Sequence, residues 1–467
     1  MPVTLNSNGK HIFAPGNLFL KKTVESPKDY LDAALEAEKT ISHHAVETES
    51  EIYWKDNPGD KIDVSFGYGV AGIAYFYTQL YEVTKDDSYA KIVEKAVNFI
   101  AANWRSIIPP EPQKYTWPDG MHFGIYFGLA GVGSFLVIAK KVFALKKADS
   151  AIKEILEYYK SKSHKDERGI YWTKSPVLLA DGGILLFLTY LYESEPSEEL
   201  KSLLSEAGNA FLSTGIPHEI DGKSALEFSD FETARLAEPD YPYEVSQPNF
   251  ELGSAGTGFV LLRLFQTLKD QKYLEAAKKV ELYLDSIKVP QKKGFLIPYR
   301  VGEHEEIFFY LGNCHGAAGT AKFYYLLYKT SGDKAYLEKV HALFDGFESL
   351  GAPEKMSKGF WNNTSVCCGH GGVVNTATGL FESTGEERWK ELAKKSAEIL
   401  LGEKDEVGEK LFSWPIAYRR VAPTEFSYTV FYNDGAAGNA AALLKIYMAE
   451  NSSKNPHPFA EDPFGTK

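Results

Sequence analysis

Residues 311–329 read LGNCHGAAGTAKFYYLLYK. A short glycine loop runs straight into a segment that is apolar and aromatic on nearly every side. The same event recurs along the chain. It appears as GVAG from Gly69, GLAG from Gly128, ADGG from Ala180, GSAG from Gly253, GAAG from Gly316, GHGG from Gly369 and GAAG from Gly435. Self-similarity on this scale is the mark of a repeat architecture. The third copy is degenerate, with alanine in place of its first glycine.

A second kind of helix precedes every loop. SYAKIVEKAVNFIAANW from Ser88 and KYLEAAKKVELYLDSI from Lys272 place apolar residues three and four apart, with charge on the opposite face. Acidic residues often stand just ahead of these segments, where they suit the positive end of a helix dipole. Such helices are expected to start near 28, 87, 147, 197, 271, 333 and 386. The unit is then polar helix, variable connector, glycine loop, apolar helix.

Helices that are apolar all round must be buried, and the amphipathic ones can shield them. An open solenoid would leave the ends of the apolar layer in water. The spacing therefore predicts an all-α fold, an α/α toroid of about seven inner and seven outer helices, with all the GxxG loops at one rim. The glycines allow sharp turns and close backbone approach at the mouth of each inner helix. A common rim is where a site is expected.

The three cysteines sit on that rim. Cys314 precedes Gly316 by two positions, and Cys367 and Cys368 directly precede Gly369. In a closed ring, equivalent positions of adjacent units lie near one another, so the three thiols can meet. Zn²⁺ takes thiolate ligands in tetrahedral geometry, and three protein ligands leave a fourth position open. A structural site would more often have four, so an open site is favoured unless a histidine closes it. The alternatives are buried free cysteines, or a disulfide between Cys314 and one of the pair, which a reducing compartment disfavours.

Bulk properties narrow the partners. The 467 residues carry a net charge of −12 and 14% aromatics. That argues against a general nucleic-acid binder, which needs clustered Lys and Arg. No apolar run reaches the ~18–20 residues of a membrane span. The N-terminal stretch has no basic segment followed by a long apolar run, so no signal peptide is expected and the location is read as cytoplasmic. Three cysteines are too few for a disulfide scaffold.

The pattern resembles the LanC-like family of lanthionine synthetase C proteins, the lanthipeptide cyclases. The likeness runs over about 28–450, and its sharpest marks are Cys-His-Gly-x-x-Gly at Cys314 and Cys-Cys-Gly-x-x-Gly at Cys367. The resemblance implies that this chain is of the Cys-Cys-Gly subset, with Cys314, Cys367 and Cys368 as zinc ligands. It further implies a zinc-dependent enzyme that adds a peptide cysteine thiolate to dehydroalanine or dehydrobutyrine and so closes a thioether ring. The partner would be a dehydrated precursor peptide, with a separate dehydratase. Domains follow as an N-terminal extension over 1–27, the toroid over 28–450, and a polar tail over 451–467 read as poorly ordered.

The chain departs from the family at its proton-transfer residues. The histidine usual before the fourth loop glycine is replaced by Leu252, and Gly124 stands where an aspartate is usual. His315, beside Cys314, is the leading substitute and His370 the second; Asp434 and His122 are weaker. Competing functions are addition of glutathione to dehydroamino acids, a prenyltransferase-like zinc toroid, and a non-catalytic zinc-containing toroid that binds peptide. The long connector over 214–250 is read as an excursion over the rim or a peripheral packing element.

Overall fold

The computed structural model describes residues 13, 16–109, 121–230, 245–302, 305–417, 420, 422–423 and 425–465. Among these are fourteen α-helices. In chain order they begin with α1 (Lys28–His43), α2 (Val70–Thr84), α3 (Asp87–Asn103), α4 (Leu129–Phe143), α5 (Lys146–Lys162), α6 (Asp181–Ser194) and α7 (Glu198–Leu212). They continue with α8 (Ser254–Leu268), α9 (Gln271–Ile287), α10 (Ala317–Ser331), α11 (Lys334–Ser349), α12 (His370–Thr384), α13 (Glu387–Glu403) and α14 (Ala436–Glu450). The even-numbered helices from α2 to α14, with α8, α10 and α12 among them, form the inner layer. Each packs on the next, and α14 packs on α2, so the inner ring is closed.

The tight partners are an inner helix and the outer helix that follows it. They are joined by a turn of about two residues, and in five pairs the first turn residue is left-handed: Lys85, Ala144, Lys269, Gly332 and Gly385. In three of these pairs the outer helix then starts on a side-chain cap, where Asp86, Asp270 and Asp333 accept from Ser88, Lys272 and Ala335 backbone N–H. Among the described residues no inner helix precedes the outer helix α1, which packs against α14. The two ends of the chain thus complete the last pair.

The inner helices start differently. Each described N-cap of the inner layer lacks a side-chain cap. Orphan N–H groups of a first turn need acceptors, and the loop's own backbone supplies them. Val70 donates to the Asp63 carbonyl (3.0 Å), Leu129 to His122 (2.9 Å), Ala255 to Pro248 (2.9 Å), His370 to Asn363 (2.9 Å) and Ala436 to Thr429 (3.0 Å). In each case the acceptor lies seven residues earlier, so the loop folds back on the helix mouth. That close approach requires glycine: a Cβ at Gly253 would lie 1.5 Å from the Gln247 carbonyl oxygen, and one at Gly131 would lie 1.8 Å from that of Ile125. Gly253 is extended and Gly131 lies in the first turn of α4, so close contact and not left-handed backbone accounts for both.

The connectors hold short antiparallel hairpins, such as Ala45–Glu47 with Ile52–Trp54 and Ile216–Ile220 with Lys223–Glu227. The second opens the long connector, whose middle, 231–244, lies outside the described residues. Upstream of α1, Phe19 and Lys22 donate to the Glu354 and Glu398 carbonyls, which binds the 16–27 segment to the outside of the last units.

The tail departs from its sequence reading. Instead of a poorly ordered extension, 455–465 threads the lumen of the inner ring. Phe459 is buried and stacks on Phe66 of the first loop, with centroids 3.7 Å apart. Glu461 meets Lys322 of α10 (2.9 Å) and accepts from the Tyr126 hydroxyl, while Asp462 meets Lys445 of α14 (2.8 Å). Burial pulls Lys322 down to about 7 and pushes Glu461 up to about 8. Unpartnered, either group would be a costly buried charge. Sequence polarity here marks internal pairing, not solvation. Phe459→Ala is expected to destabilise the fold by about 3 kcal/mol, since large-to-small changes at buried aromatics leave a cavity; the urea midpoint of unfolding measures it.

Candidate metal centre

The seven loops are tied to one another by backbone hydrogen bonds that run round the rim and close. Gly67 N–H donates to Tyr126 (2.7 Å), Ile125 to Leu178 (3.0 Å), Leu178 to Glu251 (3.0 Å) and Glu251 to Cys314 (2.9 Å). Cys314 donates to Cys367 (3.0 Å), Cys367 to Asn433 (3.0 Å), and Asn433 back to Gly67 (2.9 Å). The acceptor in every link lies two positions before the residue that caps the inner helix of its loop. The ring therefore sets equivalent residues side by side, and it sets Cys314 beside Cys367.

The three sulfurs converge. Cys314 Sγ and Cys367 Sγ each lie 3.4 Å from Cys368 Sγ, and all three fall within 4.8 Å of one another. They are free thiols. Cys314 is buried, and the other two are half-buried and reach the rim. The two flanking thiols hold the Cys368 sulfur well below the ordinary thiol range. Burial pushes Cys314 up, and its thiol neighbours push Cys367 up. Tetrahedral Zn–S bonds of ~2.3 Å place sulfurs about 3.8 Å apart. A set at 3.4 Å needs only a small expansion to hold zinc, and it is too far apart for a disulfide, whose bond is ~2.05 Å.

No histidine or carboxylate joins the trio within that radius among the described residues. The ring of His315 stands edge-on to Tyr299 (4.8 Å) and Tyr310 (5.7 Å), which stack on each other at 4.4 Å. Burial, with the Arg300 charge, pulls His315 down to about 3. His370 is the first residue of α12 and is fully buried. Its Nε2 meets Asn362 Nδ2 at 3.0 Å, and its ring takes an edge contact from Phe19 at 4.6 Å. Burial alone pulls it down to about 3. His122 lends its carbonyl to the mouth of α4 and its ring lies on Phe123 (4.0 Å).

Asp434 lies close to the trio. It is 3% exposed, the Tyr68 hydroxyl donates to its Oδ2, and the Ser365 side chain also hydrogen-bonds it. Burial first, then the Cys368 charge, pushes it up to about 7. Sequence reasoning passed over Tyr68 and Glu251, although both occupy informative loop slots. Tyr68 directly precedes Gly69, and Glu251 holds the same place in its loop as Cys314 and Cys367. Glu251 is buried and faces inward. With Tyr126, Asn313, Lys322, Cys367 and Glu461 it lines a cavity of about 30 Å³ between the rim and the tail, enough to seat ordered water. Burial keeps its carboxyl well above the ordinary range. Nothing in the sequence signalled Glu461, because its partners come from distant units.

A double ring of helices with a cysteine trio at one mouth is a defined class, the α/α toroid with a candidate metal centre on its loop rim. A family model described as lanthionine synthetase C-like protein matches 14–106 and 69–461, and the chain belongs to that family. Among solved structures, nisin cyclase is similar at a TM-score of 0.62 and 15% identity, covering 94% of this chain and 97% of its own; the likeness shows the shared fold. A D-mannose isomerase (TM-score 0.42, 14% identity, 69% of this chain and 86% of its own) and a sugar epimerase from a ruminal bacterium (TM-score 0.42, 13% identity, 70% and 90%) are also similar. No curated protein sequence matches. No helix among the described residues is long and apolar enough to cross a membrane.

His370 gives a signed pH prediction. Its folded value of about 3 lies below the ordinary ~6.5. As pH falls from about 6.5 towards 3, the unfolded chain takes up a proton that the folded chain refuses, so stability declines with acidification. Above about 6.5 the term vanishes. His370→Gln is expected to remove this share, and denaturant titrations of both proteins between pH 7 and pH 5 measure the difference in slope.

Proposed function

We propose that the protein is a zinc-dependent thioether-forming cyclase acting on dehydrated precursor peptides, of the Cys-Cys-Gly kind. The observation that supports it is the convergence of three thiols from two neighbouring loops, with Cys367 and Cys368 open to the rim. Cys314, Cys367 and Cys368 would hold the ion. A zinc ion bound there supplies a Lewis acid that keeps an incoming substrate thiol deprotonated at neutral pH.

The remaining chemistry belongs to the chain. In this reading the floor of the mouth is formed by residues that directly precede the capping glycine of six inner helices: Tyr68, Phe127, Leu252, His315, Cys368 and Asp434. A peptide laid across this floor meets apolar and aromatic surface, which excludes water from the thiolate and the dehydroamino acid and strengthens the electrostatics between them. The stacked Tyr299 and Tyr310 hold His315 in orientation beside Cys314. In this reading His315 stands at the mouth as a neutral hydrogen-bonding group. His370, sealed beneath the loop by Asn362 and Phe19, fixes the backbone that carries Cys367 and Cys368. The cyclase works in the cytoplasm on a peptide that a dehydratase has already stripped of water at serine or threonine.

The test combines metal content with thiol loss. Purified protein is expected to carry about one zinc per chain, and Cys314→Ala, Cys367→Ala and Cys368→Ala each to lose it. Incubated with a peptide bearing dehydroalanine and cysteine, wild type should consume the peptide's free thiol, scored by maleimide labelling, with no change of peptide mass. Zinc-free wild-type protein would overturn the reading. Mass gain from added glutathione without ring closure would move it to intermolecular thiol addition.

A further inference from the structure

Thiolate addition to a dehydroamino acid leaves a carbanion at Cα, and ring formation is complete only when that carbon takes a proton. Leu252, in the slot before the fourth loop glycine, has no proton to give. His370 is sealed in the fold, and the ring of His315 stands edge-on to the stacked Tyr299–Tyr310 pair. The Glu251 carboxyl lines the cavity beneath the rim together with Glu461 and Lys322, on the lumen side.

One proton-bearing pair stands on the mouth itself. Tyr68 and Asp434 hold the slot directly before the inner helix in the first and seventh loops, and the ring closure Asn433–Gly67 sets those loops together. Tyr68 is half-buried. It is fixed from behind by stacking on Phe127, with centroids 5.1 Å apart and planes at 24°. Its hydroxyl donates to Asp434 Oδ2. The neighbouring metal loop is held by Ser365, whose hydroxyl oxygen accepts the Cys368 N–H at 3.0 Å and donates to Asn363 Oδ1 at 2.8 Å. Cys368, Asp434 and Tyr68 thus hold the same slot, directly before the loop glycine, in three successive loops of the closed rim.

We propose that Tyr68 is the proton donor to Cα and that Asp434 is its positioning residue, a role that rests on the cyclase reading above. The step balances. The substrate sulfur's lone pair forms the C–S bond at Cβ, and the Cα–Cβ π pair moves to Cα. The Tyr68 O–H bond breaks, and its proton goes to Cα. The phenolate regains a proton through Asp434 or from solvent, which has received the one the substrate thiol released. A phenol, with an ordinary value of ~10, is acidic enough to protonate an amide enolate. Because the stacked ring is held on one side of the mouth, delivery is to one face, and the new Cα centre has a single configuration.

The experiment compares wild type, Tyr68→Phe, Asp434→Asn, Asp434→Glu and Glu251→Gln on the same dehydrated peptide in D₂O. Zinc content, the rate of thiol loss, and the configuration at the deuterated Cα are read together. Tyr68→Phe is expected to retain zinc, to slow about 100-fold, in the range of a lost general acid, and to give both Cα epimers. Asp434→Asn should slow about 10-fold with one epimer kept, and Asp434→Glu should recover most of the rate. A Tyr68→Phe protein within twofold of wild type and still giving a single epimer overturns the proposal. So does loss of stereocontrol in Glu251→Gln with Tyr68→Phe unchanged, which places the donor beneath the rim. An inactive wild type that holds zinc instead overturns the cyclase reading, and the donor with it, so the two failures are distinguishable.

Discussion

The closed circuit of backbone hydrogen bonds that joins the seven rim loops is the constraint on which the rest depends. Each loop donates to one neighbour and accepts from the other, so no loop can shift without breaking two links. Buried backbone groups need partners, and here the partner is always the next unit. The glycines serve this circuit. Removing the Cβ at Gly131 and Gly253 lets each loop fold back on its own helix mouth, which leaves its outer edge free to bond sideways. Helix capping and unit-to-unit pairing are thus performed by one short segment.

The cysteine trio is a by-product of that circuit as much as of its own chemistry. Three thiols on two loops would not stay within 4.8 Å without something to hold their backbones. The Cys314–Cys367 link fixes the two loops in register, and the double cysteine then places its second sulfur next to both others. Preorganised donors need little reorganisation when a cation arrives. The same circuit aligns the slot one residue further on, so the residues that face the mouth are as regular as those that face the lumen.

Much of this was legible because it repeats. A start near 271 was read for an outer helix that begins at Gln271, and one near 147 for a helix that begins at Lys146. Strong amphipathic periodicity and acidic caps carry that information locally. The meeting of Cys314 with Cys367 and Cys368 was legible because equivalent slots of neighbouring units must adjoin in a ring. The tail was not. Its burial depends on Lys322 and Lys445, which sit in inner helices as single charges with no local partner, and on Glu461 and Asp462, which look like ordinary surface acids. The burial of the His370 side chain was hidden for a related reason. Being next to a rim glycine does not say which way the first residue of a helix points, and here it points under the loop against Phe19, from far upstream.

The packing of α1 on α14 also governs how the molecule comes into being. In an open solenoid each repeat is stabilised by the one before it, and structure can spread from any point. A ring sealed by its first and last helices has no such freedom. Its final inner helix and the loop that receives the Cys367 N–H are made last on the ribosome, and only then can the first outer helix find its partner. The tail must enter the lumen in the same event. Contacts of such long sequence separation make folding slow and cooperative, so the cysteine trio is assembled at the end of folding, in a molecule that is either closed or not yet a site.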